Sequence, residues 1–101
     1  MIYTLAVPGP IEDVDEIRVL EWHGGVGHAF AAGDLVVELE THKALVEVRA
    51  GQTGVLRRII CGEGDWQDLG APLALFSDQP DEALPESADA TAEMAVEFEV
   101  S

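Results

Sequence analysis

The sequence predicts a small all-β domain, a sandwich or barrel built from two similar halves. Before residue 77, short apolar runs rich in Val, Ile and Leu are separated by glycines at regular intervals, which is typical of strands joined by tight turns. No stretch of this part keeps a helical period for three turns. The predicted strands are residues 2–7, 17–22, 28–30, 35–41, 44–49, 54–60, 65–67 and 73–76. Many short strands with glycine turns favour a sandwich or a barrel.

The order of these strands contains an internal repeat. A shift of 37 residues sets Gly27 on Gly64 and Gly33 on Gly70. The same shift aligns apolar positions: Val19 with Leu56, Trp22 with Ile59, Val36 with Leu73 and Leu39 with Phe76. Each half is then an apolar strand, a glycine turn, a short strand, a second glycine turn and another apolar strand. Because matched glycines imply matched backbone demands, we expect two similar units related by a pseudo-two-fold axis.

The chain contains a single lysine, Lys43, between the predicted strands 35–41 and 44–49. A two-residue turn at His42 and Lys43 places four apolar side chains on one face: Val37, Leu39, Val46 and Val48. A slip of one residue would exchange the two faces, so the pattern specifies the register. We therefore expect Lys43 to be exposed at a hairpin tip, where an enzyme could acylate its amine; a guanidinium is a poor nucleophile by comparison.

Composition excludes several classes of function. Twenty acidic residues against five basic ones give a net charge of −15, which argues against binding to nucleic acid or to an anionic membrane. The N-terminal segment lacks the features of a signal peptide or a membrane span, so we expect a cytoplasmic location. Cys61 is the only cysteine, which leaves no internal disulfide. No carboxylate or cysteine stands at a typical metal-ligand spacing along the chain from the histidines, and we expect no metal site. The histidines are His23, His28 and His42.

The composition changes near Ser77. Residues 77–101 carry eight acidic residues and no basic ones, and they are rich in Ala, Pro and Ser, as linkers are. Residues 94–100 alternate between apolar and polar side chains, which predicts a short strand. We therefore divide the chain into a domain of residues 1–76 and an acidic tail of residues 77–101. Residues 77 to about 92 are expected to be mobile, and truncation after Ser77 is expected to leave the domain folded.

The hairpin around Lys43 resembles a known family. Glu40-Thr41-His42-Lys43-Ala44 is similar to the E-T-D-K-A turn in the lipoyl domains of 2-oxo acid dehydrogenase E2 components. Gly64-Asp65 and Gly70 downstream agree with the same pattern. The resemblance covers about residues 2–76 and implies a flattened β-barrel of two small sheets, a barrel-sandwich hybrid. His42 departs from the pattern, because the family usually has Asp at that position.

The resemblance also implies a function. Lys43 would carry lipoate in amide linkage, with Glu40, Thr41, His42 and Ala44 as the context of the attachment turn. The implied partners are a lipoate ligase, a thiamine-dependent 2-oxo acid decarboxylase and the other components of a dehydrogenase complex. The domain would be a substrate carrier and not an enzyme. Two alternatives stay open. One is a biotin carrier, although such domains usually flank the lysine with methionine. The other is an unmodified adaptor on the same fold.

Overall fold

The described part of the chain forms ten strands in two sheets and contains no helix. A computed structural model describes residues 1–86 and 91–101. The strands are β1 (Ile2–Ala6), β2 (Glu16–Trp22), β3 (Ala29–Phe30), β4 (Leu35–Glu40), β5 (Leu45–Ala50), β6 (Gly54–Ile59), β7 (Trp66–Asp68), β8 (Pro72–Ser77), β9 (Ala92–Glu93) and β10 (Val96–Val100). The bounds of β1 to β8 and of β10 lie within one or two residues of the predicted ones, whereas β9 was not predicted. Across both described ranges, no helix is long and apolar enough to cross a membrane.

The two sheets have equivalent strand orders. The first is β3-β6-β8-β1-β9 and the second is β7-β2-β4-β5-β10. All pairings are antiparallel except that of β1 with β9. The 37-residue shift carries β2, β3 and β4 of one half onto β6, β7 and β8 of the other. The prediction of an all-β, two-sheet fold with a pseudo-two-fold repeat is confirmed.

The repeat glycines show why this shift is visible in the sequence. Gly27 and Gly64 have φ values of 96° and 91°, and Gly33 and Gly70 have values of 95° and 84°. Each matched pair therefore occupies the left-handed region of backbone space, which residues with a Cβ rarely adopt. Equivalent turns in the two halves impose the same steric demand at equivalent positions.

The core lies between the two sheets. The four apolar side chains predicted for the inner face of the β4–β5 hairpin are completely buried: Val37, Leu39, Val46 and Val48. From the first sheet, Leu5, Leu56 and Phe76 are buried in the same cluster. Cys61 is also buried, just after the end of β6. Burial of branched side chains from both faces is the main contribution to the stability of such a sandwich.

The segment 77–101 contributes a strand to each sheet. β9 lies beside β1, and β10 pairs with β5 over five residue pairs. Met94, between these strands, is only 3% exposed, and its N–H donates to the carbonyl of Thr4 at 2.9 Å. Part of the stretch expected to be mobile falls on residues 87–90, which lie outside the described residues. The division of the chain after residue 76 stays a prediction.

Candidate functional site

The tip of the β4–β5 hairpin is held by one threonine. The N–H of Thr41 donates to the carbonyl of Ala44 at 2.8 Å, which closes the turn. The Thr41 hydroxyl oxygen accepts hydrogen bonds from the N–H groups of Lys43 at 3.1 Å and Ala44 at 2.9 Å. Thr41 is 5% exposed, so this network is partly shielded from water. These hydrogen bonds stabilise the turn, which lacks the glycine or asparagine that a tight hairpin usually contains.

Lys43 projects from this tip. Its side chain is 48% exposed, and Nζ lies 3.1 Å from Oδ2 of Asp13, whose side chain is 71% exposed. Asp13 belongs to the loop between β1 and β2 and has a φ of 61°. An ion pair this exposed contributes at most about 1 kcal/mol. The amine therefore leaves its partner easily and is accessible to a second protein.

The other residues of the predicted attachment turn differ in exposure. His42 is exposed beside Lys43, whereas Glu40 and Ala44 are partly buried. Glu40 is the last residue of β4 and lies opposite Leu45 in the register that the sequence predicts. The turn thus presents two side chains to solvent, while the backbone beneath them is anchored.

Two depressions lie at the hairpin tip, one against Lys43 and one against His42. One of about 320 Å³ is mostly apolar, and its lining includes Ile11, Val14, Ala44 and Val100. The other, of about 290 Å³, is lined by acidic side chains together with His42 and the exposed Trp66. Apolar groups therefore lie beside Lys43 itself, and carboxylates are concentrated next to His42.

Sequence reasoning missed two neighbours of the tip. Asp13 comes from a distant loop, and no local pattern indicates that it would reach Lys43. The end of β10 reaches the same place, because Leu45 and Ser101 exchange two backbone hydrogen bonds of 3.0 and 2.9 Å. The alternating pattern of residues 94–100 indicates a strand but not its partner.

The three histidines have different surroundings. His28 packs edge-on against Phe30, with 4.4 Å between the ring centres. His23 lies among carboxylates, with Nε2 2.7 Å from Oε1 of Glu38 and 3.4 Å from Oε2 of Glu21. This group was not apparent from spacing along the chain, because Glu38 is on a different strand.

Comparison with known proteins identifies the family of the domain. The model of a family described as "Biotin-requiring enzyme", which covers the biotin and lipoyl attachment domains, matches residues 3–76. The chain belongs to this family. The resemblance noted in the sequence is confirmed, and the family supports attachment of either lipoate or biotin.

Curated relatives come from two kinds of complex. The chain is 29% identical to the pyruvate dehydrogenase complex protein X component of Saccharomyces cerevisiae. This match covers 96% of the chain and 25% of the relative. The dihydrolipoyllysine-residue succinyltransferase component of the 2-oxoglutarate dehydrogenase complex gives two further matches. In Staphylococcus saprophyticus the identity is 36% over 71% of the chain and 17% of the relative. In Bartonella vinsonii it is 40% over 72% of the chain and 18% of the relative. The chain thus spans a quarter or less of the length of these proteins.

Proposed function

We propose that this domain is a carrier that bears lipoate on Lys43 and shuttles acyl groups in a complex of the 2-oxo acid dehydrogenase type. The observation that carries the proposal is the half-exposed side chain of Lys43 at the tip of an anchored hairpin. The names of the relatives support it, because they belong to pyruvate and 2-oxoglutarate dehydrogenase complexes.

The residues present fit an amide-linked group. The Lys43 amine, after loss of its proton, would attack the activated carboxyl carbon of lipoate. A C–N bond would form and the activating group would leave. The product amide is uncharged, so the ion pair with Asp13 would be lost on modification. Thr41 would keep the base of the side chain at one position, because its hydroxyl holds two N–H groups of the turn.

The protein's contribution is positioning. When bound, the dithiolane of lipoate supplies the redox and acyl-transfer chemistry. The strands beneath the tip are completely buried on their inner face, so the hairpin can present Lys43 without local unfolding. We infer that the domain has no catalytic activity of its own. The net charge of −15 favours partners with positive surfaces, because charge complementarity speeds association.

Enzymatic labelling tests the proposal directly. The unmodified domain is incubated with lipoate, ATP and a lipoate ligase, and its intact mass is measured. A parallel reaction uses biotin and a biotin ligase. We expect one lipoyl group per chain and no biotin. Lys43→Arg keeps the charge and approximate length but removes the acylatable amine, so this variant should show no added mass and an unchanged circular dichroism spectrum.

The labelling outcomes separate the alternatives. Biotin without lipoate would identify a biotin carrier, although His42 and Ala44 stand where such domains usually have methionine. Addition of neither group would favour an unmodified adaptor. Lipoylation that persists in Lys43→Arg would place the modification elsewhere and refute the assignment. A final measurement is reductive acylation of the lipoylated domain by thiamine-dependent 2-oxo acid decarboxylases, which would identify the complex.

A further inference from the structure

The outer face of the second sheet carries a row of glutamates that crosses four neighbouring strands. Each member lies directly opposite the next in the strand register: Glu99 of β10, Glu47 of β5, Glu38 of β4 and Glu21 of β2. Like charges directly opposite one another destabilise a sheet. Such an arrangement is stabilised by positive partners. Arg49 lies 4.0 Å from Glu47 in the middle of the row, and at the β2 end His23 lies beside Glu21 and Glu38.

A β-bulge brings Glu21 into this row. Along β2, Ile17 and Val19 point into the core and are completely buried. Continued alternation would point Glu21 inward as well. The register shifts between Val19 and Glu21, however, so that Glu21 pairs with Glu38 on the outer face. Bulges often redirect a side chain in this way near functional sites.

His23 completes the group. The backbone N–H of His23 donates to the carbonyl of Val36 at 2.9 Å, which holds this part of the chain beside β4. Its Nε2 lies 2.7 Å from Glu38 Oε1 and 3.4 Å from Glu21 Oε2, and one donor atom from each of the three side chains lies within 4.8 Å of the other two. His23 and Glu38 are 29% and 32% exposed, and Glu21 is 61% exposed. The group is therefore open to solvent, with two of its members held on strands beside each other.

We propose that Glu21, His23 and Glu38 form a binding site for a divalent transition-metal ion, with Zn²⁺ as the best match. One imidazole nitrogen and two carboxylates are ligands that Zn²⁺ accepts, whereas Mg²⁺ and Ca²⁺ prefer oxygen alone. Four ligands at about 2.1 Å from zinc stand about 3.4 Å apart. The 3.4 Å between His23 Nε2 and Glu21 Oε2 matches that value. The 2.7 Å between His23 Nε2 and Glu38 Oε1 is a hydrogen bond, which would open by about 0.7 Å to admit the ion. A rotation of the exposed Glu21 side chain would close the site, and water would supply the fourth ligand.

The ion would also relieve the repulsion within the row. Two carboxylates and a neutral imidazole around a divalent cation give a locally neutral site, whereas Glu21 and Glu38 alone carry two adjacent negative charges. This proposal does not depend on Lys43 or on its modification.

The test is a metal titration of the full chain, freed of any affinity tag and stripped of metal with a chelator. Calorimetry with Zn²⁺ should give one site per chain. Co²⁺, used as a spectroscopic substitute, should show visible absorption bands of a low-symmetry site with nitrogen and oxygen ligands. The substitutions His23→Asn and Glu38→Gln should each lower the Zn²⁺ affinity by at least about tenfold.

Matched variants separate a site from general attraction to an acidic face. Glu47→Gln removes one charge from the same row but has no histidine beside it, and His42→Asn removes an exposed imidazole elsewhere. Both should bind Zn²⁺ nearly as the wild type does. Melting curves without metal would verify that every variant is folded. If His23→Asn does not fold, Glu38→Gln and the Co²⁺ spectrum of the wild type decide the question.

Four outcomes would overturn the proposal. They are the absence of saturable Zn²⁺ binding, binding that His23→Asn leaves unchanged, equal losses in Glu47→Gln and Glu38→Gln, and Mg²⁺ binding as tight as that of Zn²⁺. The last two would show that the glutamate row collects counterions without a defined ligand set.

Discussion

Replacement of Met94 by alanine tests whether the C-terminal segment is part of the folded domain. Met94 lies between β9 and β10, is 3% exposed and belongs to the same core cluster as Leu5 and Val48. Alanine would remove most of this side chain from the core while leaving the N–H that donates to Thr4. Composition alone assigns residue 94 to an acidic tail, for which the substitution would have no effect on stability.

The expected loss follows from burial. Truncation of a buried methionine to alanine costs about 2–5 kcal/mol, because apolar contacts are lost and a cavity is left behind. Small domains are stable by only about 5–15 kcal/mol in total. For a chain of this size, each 1 kcal/mol lowers the melting temperature by about 4–8 °C. We therefore expect Met94→Ala to melt at least about 8 °C below the wild type.

Thermal unfolding followed by circular dichroism or calorimetry measures this difference. Met94→Leu is the matched control, because it approximately conserves volume and should cost less than about 1.5 kcal/mol. A chain that ends at Ser77 should also melt at a lower temperature, since it would lack Met94 and both added strands. Equal melting temperatures for Met94→Ala and the wild type would refute the reasoning and restore the view of residues 77–101 as a linker.

Three further predictions concern single residues. Gly33→Ala should destabilise the domain by about 1–2 kcal/mol, because φ is 95° there, whereas Gly25→Ala, with open space and no positive φ, should be tolerated in denaturant unfolding. Burial raises the pKa of the Cys61 thiol, and the charge of Asp65 adds to the effect. Alkylation of Cys61 at neutral pH should therefore be slow in the native protein and fast in the unfolded protein. Equal alkylation rates would contradict the burial of this thiol. Asp13→Asn should change stability by less than about 1 kcal/mol, since the ion pair it removes is exposed; a larger loss in denaturant unfolding would show that the pair has a structural role.

The hairpin register was predictable because its determinants are local. Val37, Leu39, Val46 and Val48 alternate with polar residues on both sides of the turn. Only one register buries all four, and the structure has it. The equivalence of the repeat glycines could be predicted in the same way, since each equivalent turn needs a positive φ. The lone lysine could be placed at the hairpin tip for the same reason.

The surroundings of the tip were not predictable in this way. Asp13 reaches Lys43 only because the loop after β1 folds over the end of the second sheet. The alternation of residues 94–100 indicated a strand, but the acidic composition of residues 77–101 gave no sign that Met94 would be buried. Likewise, the chain shows Glu21 close to His23, whereas Glu38 joins them through the pairing of β2 with β4.

By itself, the sequence determined the all-β class, the two-fold repeat, the hairpin and the family resemblance centred on Lys43. These features depend on side-chain alternation and on backbone demands at single positions, and both are encoded within a few residues. Only the tertiary structure decided that Asp13 pairs with Lys43, that β9 and β10 extend the two sheets, and that Glu21, His23 and Glu38 come together. Such contacts join residues far apart in the chain, and they arise only when strand order and a β-bulge bring their side chains to the same face.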